Sequence, residues 1–306
     1  MLRRSFHTPE RIDRWLEAKL DAVIGTLIRA YRASPFHPHL SRPLARSLAT
    51  YQRLRGAKPT IVDTGRFRIQ VDPSDFLESN ILYTGTWEPD TVRALEQLIR
   101  PGDTAIDVGA QIGFVTLTLA SLVGPSGNVY ALEASDWAYD RLQQNLELNS
   151  MPWIRADRYA VGELSKAAET LSLPRGYRLD GTVTATEQTV EMIALDDYVE
   201  RAGIEQVAFV KSDTDGMEPF VLRGAERTLR EHHPTLLFEV HPDCLGKVGW
   251  TPSQLFAWLD KFGYRFYGED DLTTPMEPRE AADRIPPGKS LNVVARADTP
   301  HGAAAS

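Results

Sequence analysis

From Asp103 to Ala295 the chain alternates short apolar runs with stretches patterned as helices. That alternation restricts it to an α/β class, a Rossmann-like and mostly parallel sheet with helices on both faces. The runs Thr104–Val108, Asn128–Glu133, Trp153–Val161, Val207–Ser212, Thr235–Val240, Tyr264–Tyr267 and Leu291–Ala295 predict a seven-stranded sheet. Helices are predicted over 113–122, 135–149, 218–231 and 252–262. Glu169–Leu173, Thr182–Ala185 and Val190–Leu195 are expected as extra strands at a sheet edge. With 42% hydrophobic residues among 306, a well-filled core is within reach.

Upstream of this region, Thr60–Asp63 and Arg66–Asp72 flank Thr64-Gly65 and read as a β-hairpin; Asp90–Ile99 reads as a helix stopped by Pro101-Gly102. Ile12, Trp15, Leu16, Leu20, Val23, Ile24, Leu27, Ile28 and Tyr31 recur at helical spacing after Thr8-Pro9, predicting an amphipathic helix over 9–33. A second short helix is predicted over 43–55. The chain divides into a basic helical arm over 1–58, a hairpin and helix over 59–100 leading into the core, an α/β domain over 101–297, and a small polar tail over 298–306 expected to be disordered.

The formal charge of −8 is unevenly spread. Residues 1–58 hold 12 Lys and Arg against 4 Asp and Glu, a balance of +8 that leaves −16 on the rest. The arm is expected to dock on the acidic body; homodimer contact, an anionic lipid surface and help with an anionic acceptor are its other uses. An acidic body argues against a nucleic-acid partner. No apolar run reaches about 20 residues, so no membrane span is expected. The single cysteine, Cys244, forms no internal disulfide, and Met1–Arg4 lead into no signal-like apolar core, so the cytoplasm is the expected compartment.

The chemistry concentrates where strands end. Asp107-Val-Gly-Ala-Gln-Ile-Gly113 runs a strand directly into a helix. Gly109 permits a sharp turn, and Gly113 lets the helix begin close to the strand or a ligand, its first N–H groups unpaired. Two glycines after an Asp, in place of the dinucleotide fingerprint's three, suit a ligand that brings a carboxylate and an amine to the turn rather than a pyrophosphate. The methionine end of S-adenosylmethionine is such a ligand. Glu133 ends the next strand 20 residues after Gly113, where an acid accepts from both hydroxyls of a ribose or else caps the following helix.

Phe209-Val-Lys-Ser-Asp213 delivers a further acid to the ligand-binding edge, followed by the Asp215-Gly216 turn and by Glu218 at a helix start. Asp213 is a candidate general base or acceptor contact, and Glu218 a helix cap. His241, two residues after Glu239, is a second candidate base because an imidazole titrates near neutrality. Glu239 and His241 with Asp213 or Asp215 are alternatively a divalent-cation site, which leaves a metal requirement open. Trp87, Trp137, Trp153, Tyr83 and Tyr177 are candidates to stack on a sugar or flat ring, and equally candidates for the core.

Taken in order, these segments resemble the FkbM family of methyltransferases over about residues 76–295. The resemblance is carried by Gly85-Thr-Trp-Glu-Pro89, Asp107-x-Gly-Ala-x-Ile-Gly-Phe114, Glu133, Asn145-Leu-x-Leu-Asn149, Leu195-Asp-Asp197, Val210-Lys-x-Asp-x-Asp-Gly-x-Glu218, Val221-Leu-x-Gly-Ala225 and Pro234-x-Leu-Leu-Phe-Glu239. It implies a class I methyltransferase with S-adenosylmethionine as cofactor, acting on a hydroxyl of a small molecule, a sugar or other glycan, or a secondary metabolite. By position, Asp107, Gly109, Ala110, Gln111 and Gly113 would cradle the methionine part, Glu133 the ribose, and Asp157 or the backbone at Ala160 the adenine. Asp213 would lie near the transferred methyl. The sequence departs from the family at Gln111, where asparagine is commoner, and at Ser212-Asp-Thr-Asp215, which replaces Ile-Asp-Val-Glu. Two other readings stand beside this one: an NAD(P)-dependent oxidoreductase, since strand, glycine turn and acid are shared, and a non-catalytic scaffold that keeps the fold.

Overall fold

The computed structural model describes residues 58–177, 183–277 and 288–297, with the isolated residues 26, 50, 56 and 285. The helices expected over 9–33 and 43–55 and the tail over 298–306 therefore lie outside the described residues, those isolated positions apart. The chain enters through a hairpin, β1 (Thr60–Asp63) and β2 (Arg68–Val71), then α1 (Phe76–Thr84) and α2 (Pro89–Leu98). Next come β3 (Thr104–Val108), α3 (Phe114–Val123), β4 (Asn128–Leu132), α4 (Asp136–Glu147) and β5 (Ile154–Asp157). A small second sheet follows, from β6 (Ala160–Gly162), β7 (Lys166–Tyr177) and β8 (Val183–Ala194). The chain then forms α5 (Leu195–Ala202), β9 (Phe209–Ser212), α6 (Glu218–Arg223), α7 (Glu226–His232), β10 (Thr235–Val240), α8 (Pro242–Lys247), α9 (Pro252–Asp260), β11 (Tyr264–Gly268), β12 (Asp271–Met276) and β13 (Leu291–Ala297).

The central sheet has the order β12-β11-β13-β10-β9-β3-β4-β5. Within it β10, β9, β3, β4 and β5 are parallel; β13, β11 and β12 join antiparallel. This is the expected Rossmann-like α/β architecture with eight strands instead of seven. The added strand, β12, is mostly exposed and lies at the edge, so it carries no apolar run to betray it. The run 153–161 splits: β5 stays in the central sheet, while β6 leaves it to pair with β8. The strands expected at a sheet edge instead form a separate three-stranded sheet, order β6-β8-β7. The helix expected over 218–231 breaks at Gly224-Ala225. A Cβ at Gly224 would lie 2.1 Å from Gly162 O, so only glycine allows α6 to press this closely on β6.

Strand alternation sorts the core onto two faces. Ala105 and Phe209 pack with Leu95, Leu119 and Val123 of α2 and α3. Ile106, Val108 and Val210 face the other way, toward Tyr198, Leu222 and Phe256 of α5, α6 and α9. By the same parity Asp107 and Lys211 share the α2–α3 face, and the parallel register sets them directly opposite each other.

The hairpin is tied to the domain by two asparagines one helical turn apart. Asn145 Oδ1 accepts from Gln70 N–H at 2.7 Å, and Asn149 Oδ1 from Arg68 N–H at 2.9 Å. Asn145 lies in the last turn of α4 and Asn149 two residues past its end, so alternate N–H groups of β2 meet one partner on the helix and one just beyond it. Asn145 also donates to Ile112 O at 2.8 Å, fixing the glycine turn to the same anchor. Asp196 has a comparable local role: it accepts from Arg227 N–H and Thr228 N–H, both at 2.8 Å, at the start of α7.

Candidate active site

A cavity of about 550 Å³ opens at the C-terminal ends of the parallel strands, a size in the usual range for small-molecule sites. Its floor is the turn after β3. Gly109 has φ +76°, and a Cβ there would lie 2.0 Å from Asp213 O, so the two strand-end loops touch only because that side chain is missing. Gln111 is also left-handed, φ 50°, which aims its N–H at the next strand end. That N–H donates to Glu133 Oε2 at 2.8 Å, and Ser135 N–H donates to Oε1 at 2.8 Å. Burial lifts the Glu133 carboxyl above its ordinary pKa against the pull of these two donors. An ionised carboxylate offers about four acceptor directions, so two remain for hydroxyl groups of a ligand.

Gly109, Ala110, Gln111, Glu133, Ala160 and Asp213 all line this one cavity. Asp107 and Gly113 support it from behind. Asp107 is fully buried and accepts from Thr116 Oγ1 at 2.6 Å, and Gly113 is the N-cap of α3 with φ 93°. Two sequence candidates fall elsewhere. Asp157 is not in the wall, because Tyr198 Oη donates to its carboxylate at 2.7 Å and Arg155 pairs with it at 2.7 Å. His241 is not in the wall either. Strand β10 ends at Val240, and His241 becomes the N-cap of α8 ahead of Pro242, which takes it off the strand row that Glu239 continues. Its buried Nδ1 has no hydrogen-bond partner among the described residues.

Trp87 and Trp137 line the cavity, with Tyr159 and Phe114, whereas Trp153 and Tyr83 do not. Trp153 packs in the core and donates to Ala120 O at 2.9 Å. Tyr83 is 1% exposed. Leu171, Leu173 and Pro174 of the β7–β8 hairpin close one wall, where Ser135 Oγ donates to Pro174 O at 2.8 Å.

Lys211 ties the other end together. Its Nζ donates to Gly109 O at 2.9 Å and lies 3.2 Å from Asp107 Oδ1 and 3.8 Å from Asp213 Oδ2. Burial works against its charge, but Asp107 and Asp213 outweigh burial and raise its pKa. Glu239 and Glu88 complete this end of the wall. Burial, with Asp213 next, pushes the Glu239 carboxyl up to about 8. Asn292 stands opposite Glu239 in the β10–β13 register and donates to Glu88 Oε2 at 3.2 Å. Among the described residues no group of three His, Cys, Asp or Glu is arranged to hold a metal ion, so Asp213, Asp215, Glu239 and His241 do not form the cation site considered from sequence.

Sequence reasoning gave no role to Lys211, Glu88 or Asn292. Lys211 and Glu88 lay inside motifs that were already visible, Val210-Lys-x-Asp213 and Gly85-Thr-Trp-Glu88. Asn292 had no local signal, since it is the antiparallel return of β13 that brings it to Glu88.

The profile of the Methyltransferase FkbM domain matches residues 107–266. Over 157 residues the chain is 28% identical to the hexuronic acid methyltransferase AglP of Haloferax volcanii, covering 50% of this chain and 62% of that one. Over 126 residues it is 31% identical to a ribosomal protein L11 methyltransferase of Streptococcus pneumoniae, covering 40% and 38%. The chain thus spans less than two thirds of the length of these curated relatives. Among solved structures, the FkbM methyltransferase of Methylobacillus flagellatus aligns over 76% of this chain and 56% of its own, at 16% identity and a TM-score of 0.41. Because the matched profile takes in more than half of its residues, the chain belongs to the FkbM family of methyltransferases.

Proposed function

We propose that this protein is an S-adenosylmethionine-dependent O-methyltransferase whose acceptor is a hydroxyl of a small molecule or glycan. One observation carries the reading: the Glu133 carboxylate is bonded to the N–H of Gln111 in the glycine turn, in the same cavity as Asp213. The wall fits the cofactor chemically. Glu133 keeps acceptor capacity for two ribose hydroxyls, the turn at Gly109–Gln111 exposes backbone to an amino-acid end, and Tyr159, Ala160, Val161 and Met192 give an apolar surface for a base. The similarity to a hexuronic acid methyltransferase supports a sugar-like acceptor, and Trp87 at the acid-lined end suits stacking on one.

When bound, the cofactor supplies a methyl group already activated on a sulfonium. The chain's part is placement, and holding reacting groups in line is worth on the order of 7–11 kcal/mol. Asp213, held by Lys211, is proposed to fix the acceptor hydroxyl, and Glu239, its carboxyl pushed up to about 8 by burial and then Asp213, is proposed to donate to a neighbouring acceptor oxygen. Residues 101–297 are proposed as the cofactor-binding domain, with 59–100 contributing wall residues through Trp87 and Glu88. Among the described residues no helix is long and apolar enough to cross a membrane.

Calorimetric titration of the purified chain with S-adenosylmethionine, with NAD and NADP as controls, tests the cofactor. Binding of S-adenosylmethionine that weakens at least about tenfold in Glu133→Ala is expected, the loss of a charge-assisted contact being worth more than 1.4 kcal/mol. Unchanged affinity in the variant, or preference for a nicotinamide, would count against the assignment. Turnover on a panel of hydroxylated sugars and phenols then separates an enzyme from a scaffold.

A further inference from the structure

Glu88 lines the cavity, yet its surroundings differ from those of the other wall acids. Its backbone is left-handed, φ 44° and ψ 71°, a strained conformation for a residue other than glycine. The strain does not serve helix α2, because Glu88 sits at the N-cap without making a side-chain capping bond. It presents the carboxylate to Asn292, far along the chain, and to Thr91 in the first turn of α2. Glu88 Oε2 accepts from Asn292 Nδ2 and from Thr91 Oγ1, both at 3.2 Å. Asn292 Nδ2 also donates to Thr91 Oγ1 at 3.0 Å, and that hydroxyl hydrogen-bonds Glu269 Oε2.

A hydroxyl has one proton to give and two lone pairs to receive with. Thr91, 2% exposed, therefore donates to only one of the two carboxylates at a time and can receive from the other. The charged groups facing this chain are Asp213 and Lys211 at the Glu88 end and Asp270 at the Glu269 end. Burial and then Asp213 raise the Glu88 carboxyl, while Lys211, Thr91 and Asn292 pull it back toward the ionised form. Burial, with Glu88 adding to it, pushes Glu269 up to about 7. Of the remaining wall acids at this end, Asp213 is already compensated by Lys211, and Glu239 at about 8 holds its proton near neutrality.

We propose that Glu88 takes the proton of the acceptor hydroxyl and that Thr91 passes a proton on to Glu269. The proposal rests on the hydroxyl-acceptor reading above. As the acceptor oxygen bonds to the methyl carbon, the S–CH3 pair stays on sulfur and the O–H proton moves to Glu88 Oε2. The Thr91 proton moves to Glu269 Oε2, Glu88 returns its proton to Thr91 Oγ1, and Glu269, half-buried, releases one proton to solvent. Charge and atoms balance with no further reactant.

The test uses the full chain labelled with 13C at glutamate side-chain carboxyls and titrated by NMR, with no acceptor present. A carboxyl titrating near 7 is expected; it should vanish in Glu269→Gln and move down in Glu88→Gln, with Thr91→Val also displacing it. If nothing lost in Glu269→Gln titrates above the ordinary glutamate range, or if neither of the other variants moves it, the relay is overturned. In turnover with methyl glucoside as the probe acceptor, Glu88→Gln is expected to lower kcat about 10²-fold, to remove the rise of rate with pH and to leave S-adenosylmethionine affinity unchanged. A wild-type rate and pH profile in that variant would also overturn it. A wild-type chain that binds S-adenosylmethionine but methylates no hydroxyl defeats the functional reading instead, and the titration still decides whether the three residues form a proton chain.

Discussion

Lys211 Nζ lies 3.2 Å from Asp107 Oδ1, and the two residues stand opposite each other in the register of β9 and β3, both buried. Taking either charge out of water is expensive, so the pair holds only while both members are present. Lys211→Met should destabilise the fold by about 3–5 kcal/mol by stranding Asp107, and Lys211→Met combined with Asp107→Leu should recover more than half of that loss. Urea unfolding of the three proteins checks this; equal stability of the single and double variants would contradict it.

The turn at Gly109 has no room for a methyl group. Gly109→Ala would place a Cβ 2.0 Å from Asp213 O at φ +76°, so the β3 and β9 loops must separate. The expected cost is about 2–4 kcal/mol, from left-handed strain plus displaced backbone. Ligand affinity should fall with it, because the same movement carries Asp213 away from the turn. Thermal unfolding and titration of the variant measure both effects.

Asn145 joins β2 to the glycine turn through Gln70 N–H and Ile112 O. Asn145→Leu leaves both groups without their partner and should cost about 1–3 kcal/mol. Asn149→Ala should cost less, because the bonds it makes to Arg68 are exposed and water can replace them. Negligible cost from both substitutions would show that the hairpin is held by packing of Ile69 and Val71 rather than by the asparagines.

Glu218 is fully buried and accepts from Thr214 N–H at 2.7 Å and Thr214 Oγ1 at 3.0 Å. Burial, the largest effect, outweighs these donors and raises its carboxyl to about 7. The folded state therefore binds the proton more tightly than the unfolded chain does. Its stabilising contribution is full below the ordinary glutamate value of 4.5 and is lost as pH rises through about 7. The difference amounts to about 3 kcal/mol at most. Melting temperatures at pH 5 and pH 8 should differ more in the wild type than in Glu218→Gln; an identical difference would remove Glu218 as the cause.

The β–α alternation was legible because buried parallel strands leave uniform apolar runs, as at Thr104–Val108 and Thr235–Val240, which the structure reproduces to the residue. The glycine turn and Glu133 were legible because backbone conformation and strand-end position are local properties. Strand β12 was not, since it is short, lies at the edge and is mostly exposed, and the grouping of β6, β8 and β7 into a separate sheet depends on long-range pairing that no single run displays. The site divided in the same way. Asp213 could be placed from its own strand, whereas the exclusion of His241 depends on where β10 stops, and the bond from Asn292 to Glu88 depends on which strand β13 returns beside. Gln111 and Glu88 adopt left-handed backbone that their residue types do not advertise.

Glu88 of the cavity wall meets Asn292 although 204 positions separate them, and both fall outside the span 107–266 matched by the domain profile. Two relatives can therefore agree throughout the shared span and still present unlike surroundings to whatever is being modified. A polypeptide trimmed to that span would keep the glycine turn and Glu133 but shed both flanking contributors. Comparisons meant to transfer acceptor preference between family members have to begin in the flanks.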